Sequence, residues 1–133
     1  MSSVAETKTL IKIVHEDILQ EALELICQAK PGIEISKSYQ DYYGHATTVD
    51  VGIRTKSMPR GLGLKFRGKN ANEELKFVGD DYGVQKEYSE LQKLIVSTYQ
   101  VIAVRKALGQ LNYTSSIVNQ NSKGNVRLEA VRA

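Results

Sequence analysis

Residues 85–111 contain no proline and a single glycine, Gly109, close to their end. Such a span predicts one long helix. Leu91, Leu94, Ile95, Thr98, Tyr99, Ile102 and Ala103 form one stripe along it, and Val96, Val101 and Val104 widen the apolar surface beyond what a one-sided helix needs. The helix is therefore either wrapped by other elements or turned toward a partner, which makes Val96, Val101 and Val104 candidate partner contacts. A chain of 133 residues has room for one core around such a helix. A single domain over residues 1–133 is expected, with residues 1–6 as a flexible N-terminus.

The only prolines, Pro31 and Pro59, punctuate the rest. Residues 7–14 are rich in Thr, Ile and Val and read as a strand; Leu10, Ile11, Ile13 and Val14 do not alternate, which favours a central position. Glu16 and Asp17 put negative charge at a helix start, the stripe Ile18, Leu19, Ala22, Leu23, Leu25, Ile26 and Ala29 follows, and Pro31-Gly32 stops it. Residues 33–39 read as a strand and residues 42–45 as a turn. In residues 47–54, Val49, Val51 and Ile53 alternate with Thr48, Asp50, Gly52 and Arg54, the period of a half-buried strand. Leu62, Leu64 and Phe66 alternate with Gly63, Lys65 and Arg67, so Gly52, Gly63, Lys65 and Arg67 are placed on the outer face. Residues 74–78 make a further short strand, and Asp80 or Asp81 caps the long helix. At the end, Asn121-Ser122-Lys123-Gly124 between two strand-like runs signals a hairpin. The order predicts an α+β fold: an antiparallel-dominated sheet with two helices on one face and a C-terminal β-hairpin.

Composition narrows the function classes. Hydrophobic residues make up 41% and charged residues 25%, close to the globular average, which argues against a disordered chain. No run approaches the roughly 18 apolar residues of a spanning helix, and the N-terminus lacks a signal-peptide pattern, so no membrane association and a cytoplasmic location are expected. Cys27 is the only cysteine, which rules out an intrachain disulfide.

No motif carries a reaction. Cys27, His15 and His45 are too far apart in sequence for a recognisable metal site, and Cys27 reads as a small hydrophobe of the first helix. The glycines and basic residues of residues 60–68 miss the phosphate-loop spacing and precede no helix start. No nucleophile elbow is present. No catalytic residue, metal or cofactor is assigned.

Two residue sets remain. Seven tyrosines stand against two phenylalanines, and tyrosine suits interfaces where one end is dry and the other wet; Tyr42, Tyr43 and Tyr82 join the candidate partner contacts. The net charge of +3 is uneven: residues 34–68 carry six basic and three acidic residues, residues 69–99 four and six. Arg54, Lys56, Arg60, Lys65, Arg67 and Lys69 are the candidate nucleic-acid contacts. A single-strand platform would interleave aromatics with these charges, yet Phe66 belongs to the core, so only weak, sequence-independent binding is expected.

The order of several motifs resembles a known family. They are the opening strand ending near Ile13, Tyr43-Gly44 leading into Thr48-Val49-Asp50-Val51-Gly52-Ile53-Arg54, the strand Leu62-Gly63-Leu64-Lys65-Phe66, and residues 75–82 followed by Gly83-Val84 and Glu87. With the tyrosine-bearing helix and closing hairpin, they resemble the hypothetical chloroplast frame thirty-five family of cyanobacteria and red-algal plastids, a domain of unknown function. The resemblance implies a small soluble protein of bacterial cytosol or plastid stroma, with no known reaction or cofactor. The functional expectation is a non-enzymatic adaptor or assembly protein that docks on a larger protein or self-associates, with nucleic-acid binding as the alternative.

Overall fold

The computed structural model describes residues 4–69, 72–111, 113–118 and 127–132. The elements are β1 (Val4–Lys8), α1 (Glu16–Ala29), β2 (Glu34–Gln40), β3 (Ala46–Arg54), β4 (Leu62–Arg67), β5 (Asn72–Asp80), α2 (Gln85–Gln110), β6 (Tyr113–Val118) and β7 (Arg127–Arg132). The fold is α+β. Strands β1–β5 form one antiparallel sheet in the order β1-β5-β4-β3-β2, so the meander β2 to β5 runs between neighbours and β1 adds beyond β5.

Both helices bury their stripes on one face of that sheet. Leu19, Ala22 and Ile26 of α1 and Leu91, Leu94, Ile95, Tyr99 and Ile102 of α2 share a core with Ile53, Leu62, Leu64, Phe66, Leu75 and Phe77. Burial of these side chains is the main force holding the layers together. The helices run antiparallel, pinned where α1 begins and α2 ends: Arg105 pairs with Glu21 at 2.7 Å and Lys106 with Asp17 at 3.1 Å. The backbone N–H of His15, just before α1, donates to the Tyr99 hydroxyl at 2.9 Å. Gly32, with φ of 92°, turns the chain out of α1.

Three expectations at the chain's start and at the helix cap are corrected. Strand β1 begins at Val4, so residues 4–6 are paired to β5 and are not a loose terminus. It ends at Lys8 and occupies a sheet edge. Ile11 and Val14 are buried as parts of the connection to α1, which is why residues 7–14 mimic a central strand. Neither Asp80 nor Asp81 caps α2: the cap position is Val84, without a side-chain hydrogen bond, because Asp80 still belongs to β5.

The largest departure lies in β3. Val51 and Ile53 sit across from Leu64 and Leu62 on the helix-covered face, but Val49 belongs to a second cluster, with Tyr39 and Val78, on the opposite face. A register shift between Ser36 and Ser38 places extra β3 residues opposite a short piece of β2. Past that bulge the β2–β3 hairpin bends back over the outer face. The Gln40 N–H reaches the Arg60 carbonyl at 2.7 Å, and the Tyr42 N–H reaches Asp80. Gly52 and Gly63 are buried beneath the returning chain, where solvent-facing positions were expected. A Cβ on Gly52 would overlap the Ser38 carbonyl oxygen, and one on Gly63 would lie 2.8 Å from Val49 Cγ1 and 2.9 Å from Tyr39 Cδ1.

Among the described residues, strands β6 and β7 pair only with each other, forming a two-stranded sheet beside α2 that is separate from the main sheet. The turn at residues 121–124 lies outside the described residues. Among the described residues, no helix is long and apolar enough to cross a membrane.

Candidate protein-interaction site

The returned hairpin sets its tip beside the end of β5, and three tyrosines from two distant segments meet there. The Tyr42 ring centroid lies 5.4 Å from that of Tyr82 and 5.5 Å from that of Tyr43, both contacts edge-to-face. This is a favoured arrangement for aromatic quadrupoles. All three remain exposed, Tyr43 by 70% and Tyr42 by 54%. The Arg60 guanidinium stands 5.5 Å from the Tyr42 centroid, within cation–π range, and donates to the Tyr82 carbonyl.

Two aspartates hold this surface in place. Asp80 is only 2% exposed; its Oδ2 accepts the Tyr42 N–H at 2.9 Å and its Oδ1 the Tyr82 N–H at 3.1 Å. One carboxylate thus ties both tyrosine-bearing segments together while its own oxygens gain partners, which offsets the cost of burying it. Asp41 organises the tip. Its Oδ1 accepts the N–H groups of Tyr43 and His45, each at 2.9 Å, and the His45 Nδ1 lies 3.3 Å from its Oδ2. These bonds, the His45 N–H first, hold the Asp41 carboxyl below its ordinary range. Gly44, with φ of 82°, completes the turn.

Tyr42, Tyr43 and Tyr82 therefore come together as one patch, and the candidate valines do not join it. Val96 and Val101 are half-buried on α2 and Val104 is exposed toward its C-terminal end. The candidate basic residues are dispersed. Arg60 lies in the tyrosine patch. Lys56 lines a cleft with Lys30, Pro31, Glu87 and Glu90. Lys65 stands on the outer face across from Lys76. Arg67 does not share that face: it turns to Glu16 in the first turn of α1, an ion pair that raises its basicity.

The sequence reading missed Asp41, Asp80 and the aromatic role of Arg60. Asp41 carried a local signal, since aspartate before Tyr-Tyr-Gly is a side-chain-stabilised turn pattern. Cys27 is half-buried in a groove between α1 and the β2–β3 bulge, with Leu23, Ile35 and Val51 nearby, and burial raises its thiol pKa. Among the described residues, no three His, Cys, Asp or Glu side chains converge as a metal site.

No family model matches this chain, and a search of the curated proteins and of the solved structures finds nothing similar.

Proposed function

We propose that this chain is a non-enzymatic interaction protein that docks on a larger protein through Tyr42, Tyr43, Tyr82 and Arg60. The observation that carries the reading is the exposure of three touching rings on a backbone that Asp41 and Asp80 hold in place. Tyrosine and arginine dominate the energetic centres of protein interfaces, and a backbone already ordered loses less conformational freedom on binding. Kinship with the plastid and cyanobacterial family, and a place in bacterial cytosol or plastid stroma, belong to the same reading.

Arg60 over the Tyr42 ring favours nucleic acid as a second reading, because bases stack on aromatic and guanidinium planes. The other candidate basic side chains described above do not gather around that stack, so such binding is expected to be weak and salt-sensitive. A pull-down from native extract, with and without nuclease, tests both. A protein retained after nuclease and lost with a folded Tyr42→Ala, Tyr43→Ala variant supports docking. Retention that disappears with nuclease transfers the function to nucleic acid, and capture unaffected by the variant removes the tyrosine patch from either role.

A further inference from the structure

We infer that β1 is a self-pairing edge through which two copies of this chain join their sheets around a two-fold axis. Among the described residues, strand β1 is bonded to β5 on one side only. The Thr9 N–H donates to the Leu75 carbonyl, so by strand alternation Thr7 and Ala5 also face β5, while Val4, Glu6 and Lys8 direct their N–H and C=O groups outward. Such an edge is a template for another strand unless something blunts it.

The side chains select the occupant and the register. In an antiparallel pair centred on Thr7 opposite Thr7, the outward-bonding residues Glu6 and Lys8 face each other across the axis, twice by symmetry, as hydrogen-bonded pairs. Val4 then falls opposite Leu10, and these are exposed by 52% and 81% in the single chain. Shifting the register by one step either way that keeps outward groups paired places Glu6 against Glu6 or Lys8 against Lys8. Like charges directly opposite are unfavourable, so one register stands out and it is self-complementary, as a two-fold interface requires.

A second observation points the same way. Lys8 stands across from Lys76, which stands across from Lys65, so three strands carry one row of lysines. The second copy's Glu6 extends that row with a carboxylate. Beside the edge, Thr7, Lys8 and Leu10 line a groove with Phe77 and Val96, and in this register the second copy's Val4 falls opposite the Leu10 at its rim. This pairing involves neither Arg60 nor the tyrosines and stands or falls separately from the docking reading.

The test is sedimentation equilibrium on the full chain over a concentration series reaching hundreds of micromolar. Wild type is expected to dimerise. Glu6→Lys and Lys8→Glu should each weaken self-association by at least about tenfold, because each sets like charges opposite. Mixing the two variants should give a heterodimer, since lysines at 6 and 8 then face glutamates, and the double exchange Glu6→Lys, Lys8→Glu should restore the homodimer. A wild type that stays monomeric throughout overturns the inference. So do single variants that dimerise like wild type, or a mixture that fails to associate while both variants retain the wild-type circular dichroism.

Discussion

Asp50 takes the place of a strand for Phe66: its Oδ2 accepts the Phe66 backbone N–H at 2.7 Å, and the following Arg67 N–H at 3.0 Å. The ladder between β3 and β4 extends only from Ile53 to Val51, because beyond it the hairpin leaves β4 to cross the outer face. Two N–H groups would otherwise lose their partner where the strands part. Replacing Asp50 with Ala removes an acceptor shared by both and is expected to cost about 1–3 kcal/mol, with Asn costing less because it keeps one carbonyl oxygen there. Urea titration of both variants checks the order, and an Asp50→Ala protein as stable as wild type would mean that water serves those groups equally well.

The glycines under the hairpin should differ in how they tolerate a methyl group. At Gly63 the obstacles are the Val49 and Tyr39 side chains, so alanine is expected to cost about 1–3 kcal/mol. At Gly52 the obstacle is the Ser38 backbone, which has no rotamer to change, and the loss should be larger. A double-mutant cycle separates the two: Val49→Ala should recover part of the stability lost in Gly63→Ala and none of that lost in Gly52→Ala.

Ile95 is fully buried at the centre of the α2 stripe. Truncation to Ala is expected to cost about 2–5 kcal/mol through lost transfer energy and the cavity left behind. Chemical denaturation gives the value directly; an unchanged midpoint would mean that this turn of α2 contributes little to the core.

The Asp41 turn should open in acid. Its folded pKa lies below the unfolded one, so its contribution is complete above the ordinary aspartate range and disappears as pH falls through the folded value. Amide hydrogen exchange at Tyr43 and His45, corrected for intrinsic rates, should accelerate over that window, and an Asp41→Asn variant should lose the pH dependence. Protection independent of pH in wild type would assign the turn to Gly44 and the backbone alone.

Much of the architecture was legible because its signals are local. The α2 span follows from residues 85–111 lacking proline, the end of α1 from Pro31-Gly32, and the β2-to-β5 meander from two-residue periods between turn residues. What stayed hidden depends on contacts between distant positions. Val49 keeps the spacing of Val51 and Ile53, yet changes face because the Ser36–Ser38 bulge bends the hairpin. Asp80 looks like a helix cap until Tyr42, 38 residues away, arrives as its partner. Tyr42, Tyr43 and Tyr82 were singled out one by one as candidate contacts, but their meeting required Arg60 and Asp80 to be placed.

The position of β1 also sets an order of events during synthesis. Each strand of the meander can pair with a neighbour made moments before, whereas Thr9 bonds to Leu75, 66 residues later in the chain. Strand β1 is thus held waiting during synthesis until β5 exists, and closing so long a loop is slow. During that interval Glu6, Lys8 and Lys12 keep the waiting segment hydrated among its apolar residues.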